Sequence, residues 1–436
     1  MTRAALLAAV LAAGCEGTVG TVQLELTTAP GSTVMEPVQR LKLRLTNPPQ
    51  EDVATRGSDG GFDLTLSFAA DGDVGTLIVE GYDDADSLIA TGVSPPFTLG
   101  PTDARVVIYV AAPLSVAPAP VTLGPPRSGI AGVAMPYGAL LAGGRDAAGV
   151  PSDSIVIYNI YDHTLAGGLP MPIKRAGFAI GAATNGLVYL IGGTGVDGNP
   201  VATLESFNTT VSPAGAWRTI SEQPSFARAG EIAVPIGPDR FLVSGTPPGE
   251  LAGGELRPRT ELATLPAAGA SIIARDGVRT ALFVGEAGVI RFRSETFDTL
   301  ATPGRARASV AAVPATGKLV IVGGGPPGAP SRDIVVIDPA TGTAEPHANA
   351  LVTARHGPAV AGTDRYLVIA GGTDAADVPV ATAEIFDATT LAPVATVPVA
   401  ARAGALAFTL PNGQVLIAGG APATDLIELF TPAPAE

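Results

Sequence analysis

The sequence predicts an all-β protein: a small β-sandwich followed by a ring of similar sheets, a seven-bladed β-propeller. Three observations carry this. Seven times after Arg127 an apolar strand runs into a small pair: Gly143-Gly144, Gly192-Gly193, Ser244-Gly245, Val284-Gly285, Gly323-Gly324, Gly371-Gly372 and Gly419-Gly420. First members lie 49, 52, 40, 39, 48 and 48 residues apart, and a period of roughly 40–50 residues built of short strands is that of a propeller blade. Residues 18–112 lack the repeat but alternate apolar and polar residues. Finally, 54 Gly and 40 Pro with only 5% aromatic residues favour short strands and frequent turns over long helices.

The chain opens on a secretory pattern. Arg3 supplies a minimal positive region, Ala4–Ala13 is apolar, and Ala12-Ala13-Gly14 are small residues ahead of Cys15, the sole cysteine. Ten apolar residues are too few to span a bilayer, so residues 1–15 are expected to be a signal peptide. Leu11-Ala12-Ala13-Gly14-Cys15 resembles the lipobox of bacterial lipoproteins, with Ala12 where that family usually places Leu. The resemblance implies acylation of Cys15 and a lipid anchor in the membrane. Glu16 in place of an inner-membrane retention Asp implies the outer membrane or cell surface. A single cysteine permits neither an internal disulfide nor a cysteine zinc cluster.

Residues 18–112 are expected to form the sandwich. Val22, Leu24 and Leu26 alternate with polar neighbours, as do Leu41, Leu43 and Leu45, then Phe62, Leu64, Leu66 and Phe68. Leu77 and Val79 continue the pattern, as do Val106, Ile108 and Val110. Period two places one face in a core and the other in water. Turn clusters such as Pro30-Gly31-Ser32 and Asp71-Gly72-Asp73 separate about seven short strands. The pattern is similar to immunoglobulin-like or transthyretin-like domains and implies an antiparallel sandwich. Asp83-Asp84-Ala85-Asp86 reads as an acidic hairpin turn. Residues 113–119 read as a stiff Pro-rich linker, and residues 120–436 as the propeller.

Each propeller unit opens on a basic residue followed by small ones: Arg127, Arg175, Arg228, Arg307, Arg355 and Arg402, with Ala267 in the fourth unit. From this residue to the small pair is 16 or 17 residues, enough for two strands and a tight turn. The second strand is the most apolar, as in Leu319-Val320-Ile321-Val322, which implies burial on both faces. Gly143, Gly144, Gly192, Gly193, Gly245, Gly285, Gly323, Gly324, Gly371, Gly372, Gly419 and Gly420 are expected to permit a turn of positive φ or a close backbone approach. Trp217, the sole tryptophan, stands in a fourth strand. The set resembles the kelch repeat over about 310 residues, although that family carries more tryptophans. After Phe430 too little chain remains for a fourth strand, so Val121-Thr122-Leu123, within residues 120–124, is expected to complete the seventh blade.

The six arginines are the candidate ligand-binding ring, since guanidiniums hold carboxylates or sulfates bidentately. The competing reading, favoured because the position belongs to the repeat, is that each bonds blade-edge carbonyls. Gly-, Pro- and Asp-rich loops at 145–153, 194–202, 246–254, 325–332 and 373–381 are the second candidate surface. A net charge of −14 argues against nucleic acid as partner. The kelch resemblance includes copper oxidases similar to galactose oxidase, but these need a Tyr–Cys cross-link that Cys15 is misplaced to make. Asp-box motifs of sialidases are absent. His163, His347 and His356 read as solvated loop residues, so no metal or cofactor is expected. The resulting expectation is a monomeric, membrane-anchored envelope lipoprotein whose propeller binds a protein or glycan without catalysis. The alternative is a carbohydrate-active or isomerising enzyme using the arginine-rich end.

Overall fold

The computed structural model describes residues 19–69, 72–99 and 104–435; the expected signal peptide, residues 1–15 with Cys15, lies outside them. Among the described residues every regular element is a strand except the 3-10 turn Pro224–Phe226. The N-terminal unit has a four-stranded antiparallel sheet in the order Pro49–Thr55, Arg40–Thr46, Leu77–Tyr82, Leu88–Val93. A second sheet runs Thr65–Ala69, Val19–Thr27, Ala104–Tyr109. Their inward residues meet in one apolar core that includes Val22, Leu24, Leu41, Leu43, Val79 and Ile108, the residues marked by the alternation. One expectation needs correction: Val19–Thr27 pairs antiparallel with Thr65–Ala69 but parallel with Ala104–Tyr109. Alternation fixes which face a residue takes and carries no information on strand direction.

Seven four-stranded antiparallel sheets follow, a propeller-like arrangement. The first comprises Ala131–Met135, Gly138–Ala142, Ile155–Asn159 and Thr164–Gly167 in chain order. The next five, spanning Ala179–Glu222, Ala233–Pro258, Gly269–Leu300, Ser309–His347 and Ala359–Pro398, repeat this meander. In each, the second strand is sealed on both faces because its alternate residues pack against the two neighbouring sheets. Leu140 and Ala142 pack with Ile180, Val188 and Leu190 of the second sheet. Leu141 packs with Leu416 and Ala418 of the last. Equivalent clusters join every successive pair of sheets, so the last sheet shares a core with the first.

The seventh sheet combines Leu406–Thr409, Val415–Ala418 and Ile427–Thr431 with an outer strand from before the first sheet. That strand is Ser115–Pro118, antiparallel to Ile427–Thr431 with Ser115 opposite Thr431 and Pro118 opposite Glu428. Expectation placed it at Val121-Thr122-Leu123 and made residues 113–119 a linker; both are corrected. Proline is tolerated here because an outermost strand has no ladder partner on its open side. Leu123 instead donates its N–H to the Asp425 carbonyl (2.7 Å) from within the connection.

The N-terminal unit sits against one end of the sheet ring, the end made by the turns between first and second and between third and fourth strands. Asn412 Nδ2 donates to the Val93 carbonyl (2.8 Å) and the Tyr161 hydroxyl to that of Pro96 (3.2 Å). The arginine motifs and the loops after the second strands lie at the other end.

Candidate functional site

The arginines belong to the internal wiring of the sheets. Five of the six donate Nη1 to the carbonyl of the first residue of their own small pair: Arg127 to Gly143 (2.8 Å), Arg175 to Gly192 (3.1 Å), Arg228 to Ser244 (2.9 Å), Arg355 to Gly371 (3.0 Å), and Arg402 to Gly419 (3.2 Å). Arg127, Arg175, Arg355 and Arg402 are no more than 2% exposed. Three of them meet a buried carboxylate of the third strand, in the pairs Arg175–Glu205, Arg355–Glu384 and Arg402–Glu428. Burial pulls the Arg175 guanidinium down and pushes the Glu205 carboxyl up, each opposed by the partner's charge. The six positions therefore do not form an open ring for a ligand.

In the fifth unit the repeat arginine is Arg305, which reaches the Gly323 carbonyl, Ser331 Oγ (2.9 Å) and Asp333 (2.9 Å). Arg307, expected in that role, occupies the place held elsewhere by Gly129, Gly177, Gly230, Gly357 and Gly404. It shares their left-handed backbone, at φ +54°.

The small pairs join one sheet to the next. Gly192 has φ +67°, and a Cβ there would lie 2.2 Å from the Arg228 carbonyl oxygen. Its neighbour Gly193 donates its N–H to the same oxygen (2.7 Å), as Gly324 does to Arg355 and Gly372 to Arg402 (3.0 Å each). Not every pair follows this in full. Gly285 stays within a strand and opposes Gly288 across a tight hairpin, so the fourth unit lacks the loop along with the arginine. Gly245 donates its N–H to the Leu265 carbonyl at the entry to the next sheet (2.9 Å), but a Cβ there would strike the Glu231 carboxylate, and one on Gly419 would meet the Ile130 side chain.

The solvent-facing chemistry at this end is a constellation built on Arg307. Its Nη1 donates to Asp377 Oδ1 (2.7 Å) and its Nη2 to Thr373 Oγ1 (2.9 Å). Its carbonyl accepts from Gly357 N–H (2.7 Å), and His356 exchanges two backbone hydrogen bonds with Thr373. Asp377 is also left-handed, at φ +58°, where the matching loop of the first sheet has Gly149 at +79°. Two such non-glycine residues cost about 1 kcal/mol each. Both side chains are accessible, whereas His356 is 1% exposed and neither ring nitrogen has a partner among the described residues. Burial, then the Arg307 charge, holds its imidazole below the ordinary range. Exposed Val150, Val196, Leu169, Val352 and Val378 stand at the same end. Sequence reasoning missed this cluster because it aligned Arg307, not Arg305, with the repeat.

The other histidines also differ from expectation. His163 is 2% exposed, between the N-terminal unit and the first sheet. Its Nε2 accepts from Tyr109 N–H (3.2 Å) and its Nδ1 lies 2.7 Å from the Tyr158 hydroxyl. His347 is half-buried beside Glu345 (3.6 Å). Among the described residues no three metal-ligating side chains converge, and no helix is long and apolar enough to cross a membrane. A cleft of about 280 Å³ opens between the N-terminal unit and the ring, lined by Ile78, Val93, Arg365, Leu410 and Asn412. Compared with protein-family models and with curated proteins, the chain matches none of either.

Proposed function

We propose that the seven sheets are the blades of a kelch-like propeller standing on an immunoglobulin-like or transthyretin-like sandwich, and that the protein is an exported envelope lipoprotein anchored through Cys15. In this reading the propeller is a non-catalytic, monomeric platform for a protein or glycan. The observation that carries it is the asymmetry of the two ends. The N-terminal unit occupies one, through Asn412 and Tyr161. The other presents the exposed valines and the Arg307–Asp377 pair on loops held by a rigid scaffold. The enzyme alternative relied on an arginine-rich end, and four of those arginines are spent inside the sheets.

The test is site-directed photo-cross-linking on intact cells. A cross-linker at Val378 or Val150 is expected to capture a partner that one at Val53, on the N-terminal unit, does not. Equal capture from both ends would remove the reading. A Cys15→Ser chain is expected to leave the membrane fraction, and its retention there would refute the anchor.

A further inference from the structure

The first sheet has the buried arginine but not the carboxylate that accompanies it in the second, sixth and seventh sheets. Opposite the second strand, Glu205 pairs with Leu190, Glu384 with Ile369 and Glu428 with Ile417. The same register in the first sheet, opposite Leu141, holds Val156. Two of the sister carboxylates also serve the backbone. Glu384 accepts the N–H groups of Val352 and Thr353, and Glu428 that of Ala400. Thr353 and Ala400 each stand two residues before their arginine. In the first sheet that place is Pro125, which has no N–H to satisfy. The carboxylate and one of its dependants are thus both missing, while the cation remains.

Arg127 is 2% exposed, and among the described residues its only side-chain hydrogen bond is Nη1 to the Gly143 carbonyl. Nε and Nη2 are buried without a partner there. These two N–H groups form one edge of the guanidinium, two parallel donors spaced to grip an anion bidentately. The group stays charged, so a buried edge of this kind calls for a negative partner. We propose that the Nε–Nη2 edge of Arg127 binds a small monovalent anion, a halide or a carboxylate of formate size, in the role that Glu205, Glu384 and Glu428 fill for their arginines. The site lies on the ring seam: Arg127 N–H donates to the Thr424 carbonyl (3.0 Å), and Thr424 N–H to that of Arg127 (3.2 Å). Anion binding therefore stabilises contact between the first and last sheets.

The test is thermal unfolding of the mature chain at constant ionic strength, replacing sodium gluconate stepwise by sodium chloride in one series and sodium formate in another. The wild-type midpoint is expected to rise saturably in at least one series. Val156→Glu, which restores an internal carboxylate, and Arg127→Met, which removes the donors, are both expected to abolish the dependence. If Val156→Glu does not fold, Arg127→Met decides alone. A wild-type midpoint indifferent to both anions, or an equal rise in every folded variant, overturns the proposal.

Discussion

Arg175 and Glu205 form an ion pair inside the second sheet, with side chains 0% and 1% exposed. The guanidinium also holds the Gly192 carbonyl and Thr203 Oγ1. One residue thus fixes the end of the second strand to the start of the third. Its own carbonyl meets the glycine of the preceding sheet, 2.6 Å from where a Cβ on Gly143 would lie. The repeat arginine is therefore a strut within a sheet and a spacer between sheets.

Breaking the pair should cost far more than replacing it. Glu205→Ala leaves a buried cation uncompensated and is expected to destabilise by about 3–5 kcal/mol. A double replacement, Arg175→Met with Glu205→Leu, should restore much of that loss. Denaturant midpoints of the three variants measure the ordering.

The assignment of Arg305 over Arg307 makes a paired prediction. Arg305→Ala removes hydrogen bonds to Ser331 and Asp333 and should lower stability by about 1–3 kcal/mol. Arg307→Gly loses an accessible ion pair worth about 0–1 kcal/mol and relieves left-handed strain of about 1 kcal/mol. Its melting temperature should be unchanged or raised. If Arg307→Gly were the more damaging substitution, the repeat alignment would be wrong.

Two glycines of similar φ separate conformational cost from contact. Gly149 has open space around a built Cβ, so Gly149→Ala should cost only about 1 kcal/mol. At Gly192 the Cβ would strike the Arg228 carbonyl, and Gly192→Ala should cost at least 3 kcal/mol, on the order of a severe packing error. Chemical denaturation of both variants tests the contrast.

Burial holds the His163 imidazole at a pKa of about 4, below the ordinary 6.5. The unfolded chain takes up the proton first, so this contribution is complete above pH 6.5 and is lost as pH falls through 4. A gap of about 2.5 pH units corresponds to about 3 kcal/mol. Melting temperatures between pH 7 and 4 should fall more steeply for the native chain than for His163→Asn. Parallel curves would show that His163 does not carry the effect.

Much of this architecture was legible because it rests on local pattern. Leu367-Val368-Ile369-Ala370 is apolar at every position because both faces meet a neighbouring sheet, and Gly371-Gly372 ends it where the chain must turn left-handed. The closing strand escaped because Ser115–Pro118 carries the composition of a linker. Spacing held a clue: Gly167 ends a fourth strand eight positions before Arg175, His347 ends one eight before Arg355, and Pro118 stands nine before Arg127. Arg307 was misread because the fifth unit spans 18 residues from Arg305 to Gly323, and a fixed spacing selected the wrong arginine. The burial of His163 and His356 depends on which segments pack over them, which local sequence does not encode.

Closure of the ring by the strand before the first sheet is the claim on which the placement of both ends depends. Ala119 N–H donates to the Ile427 carbonyl (2.8 Å) at the end of that strand, so amide hydrogen exchange across residues 115–119 of the intact protein reads it directly. Protection comparable to that of Val415–Ala418 in the same sheet is expected. Exchange at the rate of an unstructured peptide would contradict it.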